Sequence, residues 1–374
     1  MREIMLNTEI HKFETCAEFA REFALGADDL LFTIRPIYEA HFAPLGLPVK
    51  TLFWEDFGSG EPTDVMTDEI IAAASKLGFR RLVAAGGGSI IDIAKAVAVS
   101  GGRTTDELYA AAPEIKRSCG LVIAPTTCGT GSEVTNISII NRTRLGTKMG
   151  LVAPALYADQ AVLIPELLRG LPFEVFAASS IDALVHAVES ALSPKATEFS
   201  KLLSYKAAET IIKHYETMAR EGREARHALL GDFLLASNYA GIAFGTAGCA
   251  AVHALSYPLG GAYHVPHGES NYAVFTGVMK NYLEIKTDGE ISKMMDFIAA
   301  LLSCEKSRAW DELEKLLDTI LPKKPLRAYG VKPEDLPRFT EAVMTTQQRL
   351  MNNNFVPLDE ARVLKTAAIR PLQQ

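Results

Sequence analysis

The 374-residue chain has no surplus of positive charge, few cysteines and two tryptophans. Its 38 Lys and Arg against 45 Asp and Glu give a formal charge of −7, which leaves no basic excess to neutralise phosphates and argues against a nucleic-acid partner. Five cysteines (Cys16, Cys119, Cys128, Cys249, Cys304) are scattered and odd in number. That pattern suits reduced thiols in a cytoplasmic protein better than a disulfide framework. The start, Met1–Glu9, lacks the apolar stretch of a signal peptide. Repeats and low-complexity tracts are absent. Phe233 to Gly268 contains no Asp, Glu, Lys or Arg, yet Asn238, three histidines and two prolines interrupt it, so no membrane span is expected there.

What the chain does contain is an ordinary globular composition, 48% hydrophobic and 22% charged, long enough for two domains. The first half alternates strand and helix signals. Leu30–Ile34, Val49–Trp54, Arg81–Ala85 and Gly120–Ala124 are short apolar runs that read as strands. Pro36–Phe42, Thr63–Leu77 and Ile90–Val99 read as the helices between them. This order implies a parallel sheet with flanking helices. Asn136–Ile140, Lys148–Val152 and Gln160–Ile164 add strand segments. Beyond Pro165 the chain reads as all helical, with candidates at Phe176–Ala191, Lys201–Arg220, His227–Ala243, Ile291–Leu302 and Trp310–Leu316. The expected organisation is an α/β domain over 1–170 and an all-α domain over 171–374.

Two loops follow strands where an open parallel sheet binds its ligands. Gly86-Gly87-Gly88-Ser89 opens a helix, whose N-terminus offers free N–H groups and partial positive charge to a pyrophosphate. Ser89 can cap that helix or bond a phosphate oxygen. The loop matches neither the G-x-G-x-x-G fingerprint nor a Walker loop, and by itself it is equally a tight turn. Pro125–Glu133 offers four hydroxyls and two glycines at the same edge. Cys128, with no basic neighbour in sequence, reads as a packing residue rather than a nucleophile.

In Ser180–Ser190, Asp182 and His186 stand four apart and share one helix face. A satisfied core histidine explains that pair as well as a ligand pair does. The odds shift because His253, His264 and His267 all fall inside the uncharged run. Imidazoles with one carboxylate form a borderline N/O donor set for Fe(II) or Zn(II). His11, His41, His214 and His227 read as solvated surface residues.

GGGSIIDIAK at 86–95, PTTCGTGSE at 125–133, IDALVHAVES at 181–190, HALSYPLGG at 253–261 and VPHGES at 265–270 together resemble the metal-dependent, iron-containing alcohol dehydrogenase family. The resemblance runs from about Leu30 to the C-terminus and implies that the α/β domain is dinucleotide-binding. It implies metal ligands at Asp182, His186, His253 and His267. It implies cofactor contacts at Gly86, Gly87, Gly88, Ser89, Asp92, Thr126, Thr127, Thr130 and Lys148, and reversible alcohol–carbonyl hydride transfer with NAD. Glu189, one turn beyond His186, is either an orienting partner or a solvated helix residue.

Three departures from the family pattern matter. Tyr257 replaces a second histidine near the substrate and, with His264, becomes a candidate catalytic group. Thr33-Ile34-Arg35 lacks the acid that favours NAD, and Arg35 suits a 2′-phosphate, so NADP stays open. Tyr263–Glu269 carries His264 where many relatives have a non-basic residue. This version resembles the branch that interconverts 4-hydroxybutyrate and succinic semialdehyde. The expected substrate is therefore a small, carboxylated alcohol or aldehyde. A general primary-alcohol or 1,3-propanediol dehydrogenase is the alternative, and a non-catalytic metal- or nucleotide-binding scaffold a more distant one. The resemblance also implies a homodimer or higher homo-oligomer.

Overall fold

A computed structural model describes residues 3–368. The chain divides into two compact units. One comprises Leu6–Thr127 and Gly131–Leu171; the other comprises the described residues of Met1–Met5, Cys128–Thr130 and Pro172–Gln374.

The first unit holds a six-stranded sheet in the order β1-β8-β5-β4-β2-β3, and every pairing in it is parallel. Its strands are β1 (Glu9–Lys12), β2 (Asp29–Thr33), β3 (Lys50–Phe53), β4 (Arg81–Gly86), β5 (Gly120–Pro125) and β8 (Gln160–Leu163). β2, β4 and β5 are buried on both faces, as continuous apolar runs in a parallel sheet require. On one face, Leu30, Phe32, Leu82, Ala84, Leu121 and Ile123 pack with Ile91, Ala94 and Ala98 of the helix Gly88–Ser100. Helices Asp64–Ser75 and Thr105–Ala111 begin on Thr63 and Thr104, whose hydroxyls accept N–H groups of the first turn.

The sheet and the first-half helices match the sequence reading, with two differences. The segments expected around 136–140 and 148–152 leave the parallel sheet and pair with each other as an antiparallel hairpin, β6 (Ile137–Arg142) and β7 (Thr147–Val152). The alternating burial of β6 has the period of a ribbon with one covered face, which length and apolarity alone do not separate from a sheet strand. Sequence reasoning also missed β1, whose Glu-Ile-His-Lys has no apolar run, and the helices Cys16–Glu22 and Thr105–Ala111.

The second unit is helical. Its centre is the helix Phe173–Leu192, buried along nearly its whole length. Such a helix, apolar all round, needs cover on all sides. Glu198–Glu221, Leu230–Ala247 and His267–Leu283 supply it. By length and apolarity this helix also suits a membrane, but it is the packed core of the unit and carries three carboxylates, Glu174, Asp182 and Glu189. Leu230–Ala247 and Ala251–Tyr263 meet at 107° across Gly248, whose φ is +81°. The uncharged run is therefore two bent core helices. Ala251–Tyr263 and His267–Leu283 escaped sequence assignment because Pro258 and clustered glycines disguise their period.

Candidate functional site

In the helical unit, four of the residues singled out from sequence converge. Asp182 and His186 lie in Phe173–Leu192, His253 in Ala251–Tyr263, and His267 opens His267–Leu283. His186 Nε2 lies 2.9 Å from His253 Nε2. Asp182 Oδ1 lies 3.7 Å from His253 Nε2 and 3.8 Å from His267 Nε2, and Asp182 Oδ2 lies 3.8 Å from His186 Nδ1. All but the half-buried His267 are buried.

Burying such groups is expensive unless each is paired. Burial works to raise the Asp182 carboxyl, but His186, His267, His253 and Asn271 outweigh it and hold it below the usual range. Burial drives His186 down to about 3, keeping the ring neutral with a lone pair to donate. His186 Nδ1 faces the Gly129 carbonyl at 3.3 Å, and its ring stacks on Phe244 at 4.3 Å.

Glu189 is 1% exposed, so the solvated reading does not hold. Its carboxylate accepts the N–H groups of Ala250 and Val252 at 3.1 and 2.6 Å and meets His253 Nδ1 at 2.6 Å. A proton held on Nδ1 leaves Nε2 free to coordinate, the arrangement that orients metal-binding histidines. Sequence reasoning missed Asn271, one turn beyond His267. Its Nδ2 donates to Asp182 Oδ1 at 2.6 Å and lies 3.2 Å from His253 Nε2 and 3.3 Å from His267 Nε2. The spacing His267-x3-Asn271 was the available signal.

Gly268 explains how His267 comes so close. A Cβ there would fall 2.0 Å from the Ala178 carbonyl oxygen and 3.3 Å from Asp182 Cβ. Only glycine lets the two helices meet at that depth.

The two candidate catalytic groups are placed differently. The Tyr257 ring centroid is 6.3 Å from that of His267. Burial raises the Tyr257 phenol, while the charges of His253 and Arg349 act to lower it. His264 is exposed and ends its helix in the left-handed conformation, φ +54°, and does not join the cluster. Cys128 is fully buried; burial pushes its thiol up to about 12, and Ser179 is its side-chain partner at 3.8 Å, as befits a packing residue. Among the histidines read as solvated, His41 and His214 are half-buried beside Glu166 and Asp232.

In the α/β unit, β4 runs into Gly87, which caps the helix Gly88–Ser100 without a side-chain bond. The first turn thus presents its N–H groups at the carboxyl edge of the sheet. A Cβ on Gly86 would meet Ile90 Cβ at 2.5 Å, so the turn demands glycine. Ser89 Oγ lies 3.5 Å from Gly60 O and does not cap the helix. Thr126 N–H donates to Gly86 O at 3.0 Å, and Thr127 lies against Gly87, joining the two loops. Lys148 Nζ reaches Glu61 at 2.6 Å. Asp92 sits a turn into the helix. Burial raises its carboxyl, to about 7, against the opposing charge of Lys95. Thr130 belongs to the helical unit. Arg35 pairs with Asp56 and covers the Phe53 ring at 4.3 Å, while its N–H donates to Glu55 at 2.9 Å.

Three imidazole nitrogens and one carboxylate oxygen, with orienting partners already engaged, suit a divalent transition metal. The buried Asn271 Oδ1 has no hydrogen-bond partner, so the polar cluster is not closed on itself. The chain is an oxidoreductase by the family models that it matches. The iron-containing alcohol dehydrogenase model matches residues 15–165, and the C-terminal model of the Fe-containing alcohol dehydrogenase family matches 176–368. The chain belongs to the iron-containing alcohol dehydrogenase family.

Among curated relatives, 4-hydroxybutyrate dehydrogenase of Clostridium kluyveri is 42% identical over 98% of this chain and 99% of its own length. Long-chain-alcohol dehydrogenase 1 of Geobacillus thermodenitrificans is 34% identical over 81% of this chain and 78% of its own. Among solved structures, a 1,3-propanediol oxidoreductase shares the fold with a TM-score of 0.84 at 22% identity, covering 99% of both chains.

Proposed function

We propose that this chain is an NAD-dependent, metal-containing dehydrogenase interconverting 4-hydroxybutyrate and succinic semialdehyde. The observation that carries the reaction class is the convergence of Asp182, His186, His253 and His267. The full-length likeness to a 4-hydroxybutyrate dehydrogenase supports the substrate. Fe(II) and Zn(II) both suit this donor set.

When bound, the metal supplies a Lewis acid for the substrate oxygen, and the nicotinamide carries the hydride. The protein's own contributions are separable. Asp182, His186, His253 and His267 hold the ion; Glu189 keeps the His253 proton on Nδ1; Asn271 holds Asp182. Gly87, Gly88 and Ser89 bind pyrophosphate through backbone N–H groups, with Thr126, Thr127 and Lys148 along the cofactor. Asp56 neutralises Arg35, and the Glu55 and Asp56 carboxylates disfavour a 2′-phosphate, which supports NAD over NADP. Tyr257 lies beside His267 as the substrate-facing hydroxyl. Among the described residues Arg349 makes no ion pair, is exposed, and acts electrostatically on Tyr257. It is the cation offered to a substrate carboxylate.

The assembly proposed is a homodimer or a multiple of it, in keeping with the closed symmetry of most soluble oligomers. All five cysteines are free thiols, which supports a reducing, cytoplasmic location. The test is NADH oxidation by anaerobically metal-loaded protein, with succinic semialdehyde beside butanal. A strong preference for the semialdehyde supports the assignment. Equal or better use of butanal leaves a general alcohol dehydrogenase and sinks the substrate.

A further inference from the structure

Outside the site already described, one group of metal-ligating side chains is assembled from distant parts of the chain. Cys16, His41 and Glu166 each offer a donor atom, and the three donors lie within 4.8 Å of one another. All three belong to the α/β unit and follow the carboxyl ends of parallel strands: Cys16 comes after β1, His41 after β2 and Glu166 after β8. Glu166 Oε2 accepts the Cys16 N–H at 2.7 Å and lies 3.8 Å from His41 Nδ1. Among the described residues neither His41 nor Glu166 has another ion-pair partner.

We propose that Cys16, His41 and Glu166 form a second metal site that takes Zn(II). The chemistry of the donors selects the ion. One sulfur, one imidazole nitrogen and one carboxylate oxygen make a mixed set that suits zinc and is poor for Mg(II) or Ca(II). Zinc–ligand bonds of about 2.0–2.3 Å put tetrahedral donors roughly 3.3–3.6 Å apart, so donors within 4.8 Å need to close by about 1 Å. The Glu166 carboxylate is already oriented by the Cys16 N–H. The thiol is 1% exposed, while the His41 and Glu166 side chains keep 16% and 23% exposure. That leaves the open side for ion entry and a water as fourth ligand.

Burial and the Glu166 charge raise the Cys16 thiol well above its ordinary value, so it is protonated without the ion and no free nucleophile. Zn(II) binding breaks the S–H bond, forms the S–Zn bond and releases the proton to solvent. The ion would clamp three segments, the latest of them 150 residues beyond Cys16, and so act on stability rather than turnover.

The experiment is zinc counting on the full-length protein, wild type beside C16S and H41A, after zinc loading and gel filtration. Cobalt loading is run in parallel to detect thiolate-to-metal charge transfer. Wild type should hold two equivalents and each variant one. The charge-transfer absorption should fall in C16S, and zinc affinity at this site should fall by at least about 100-fold in H41A. His41 is partly exposed, so H41A keeps the question open to test if C16S misfolds. Equal zinc content in wild type and H41A, or a charge-transfer band that C16S does not weaken, overturns the proposal. None of these readouts depends on turnover, so failure here is distinguishable from failure of the dehydrogenase reading.

Discussion

The Asn271 side chain donates from Nδ2 to Asp182 Oδ1 at 2.6 Å, with the donating nitrogen within 3.3 Å of the ring nitrogens of His253 and His267. A neutral amide thereby sets where the Asp182 carboxylate points. Asn271→Ala should weaken metal binding by about 10–100-fold, as expected when a ligand loses its orienting partner. Competition against a chelator of known affinity measures this; unchanged affinity would show that Asp182 needs no help.

Glu189 satisfies two backbone donors and one imidazole with one carboxylate. Glu189→Gln replaces an acceptor with a donor facing one of those N–H groups. The expected cost is about 1–3 kcal/mol of stability together with weaker metal binding. Thermal unfolding of metal-free and metal-loaded protein separates the two effects. Equal melting of the variant and the wild type would refute the role.

Gly268→Ala should be severe. The added carbon would land 2.0 Å from Ala178 O, so the helices must part and His267 moves with its own. Loss of bound metal by elemental analysis is expected even where folded protein is recovered. A fully loaded G268A protein would mean the helix contact is softer than its geometry implies.

Arg349→Ala should raise KM for succinic semialdehyde by at least about tenfold, equivalent to about 1.4 kcal/mol of lost carboxylate recognition, and leave butanal nearly untouched. A parallel loss on both aldehydes would instead point to a packing defect.

Asp56→Ala frees the Arg35 guanidinium from its carboxylate. The ratio of kcat/KM for NADPH over NADH should rise by about tenfold, through KM. An unmoved ratio would place the 2′-position elsewhere.

The parts of this fold readable from sequence were those with strong periodicity or strong local chemistry. β2, β4 and β5 announce themselves as apolar runs, and Asp182 and His186 share a helix face by spacing alone. The failures are equally physical. β1 is an edge strand with mostly exposed side chains, so no burial pattern marks it. Asn271 and the His41–Glu166 contact depend on which helices and loops meet, which no local pattern encodes. His264, singled out because relatives carry a non-basic residue there, ends its helix in the left-handed conformation, a placement that no spacing announces.

Asp182, His186 and Glu189 share one helix, and that helix is the most enclosed element of its unit. Its amide protons should therefore be among the slowest to exchange with deuterium, opening only when the whole unit does. On the proposed ligand set, an ion would leave without unfolding from the side of His267, the half-buried member of the four. Its residence time would then report on the fraying of a single helix end.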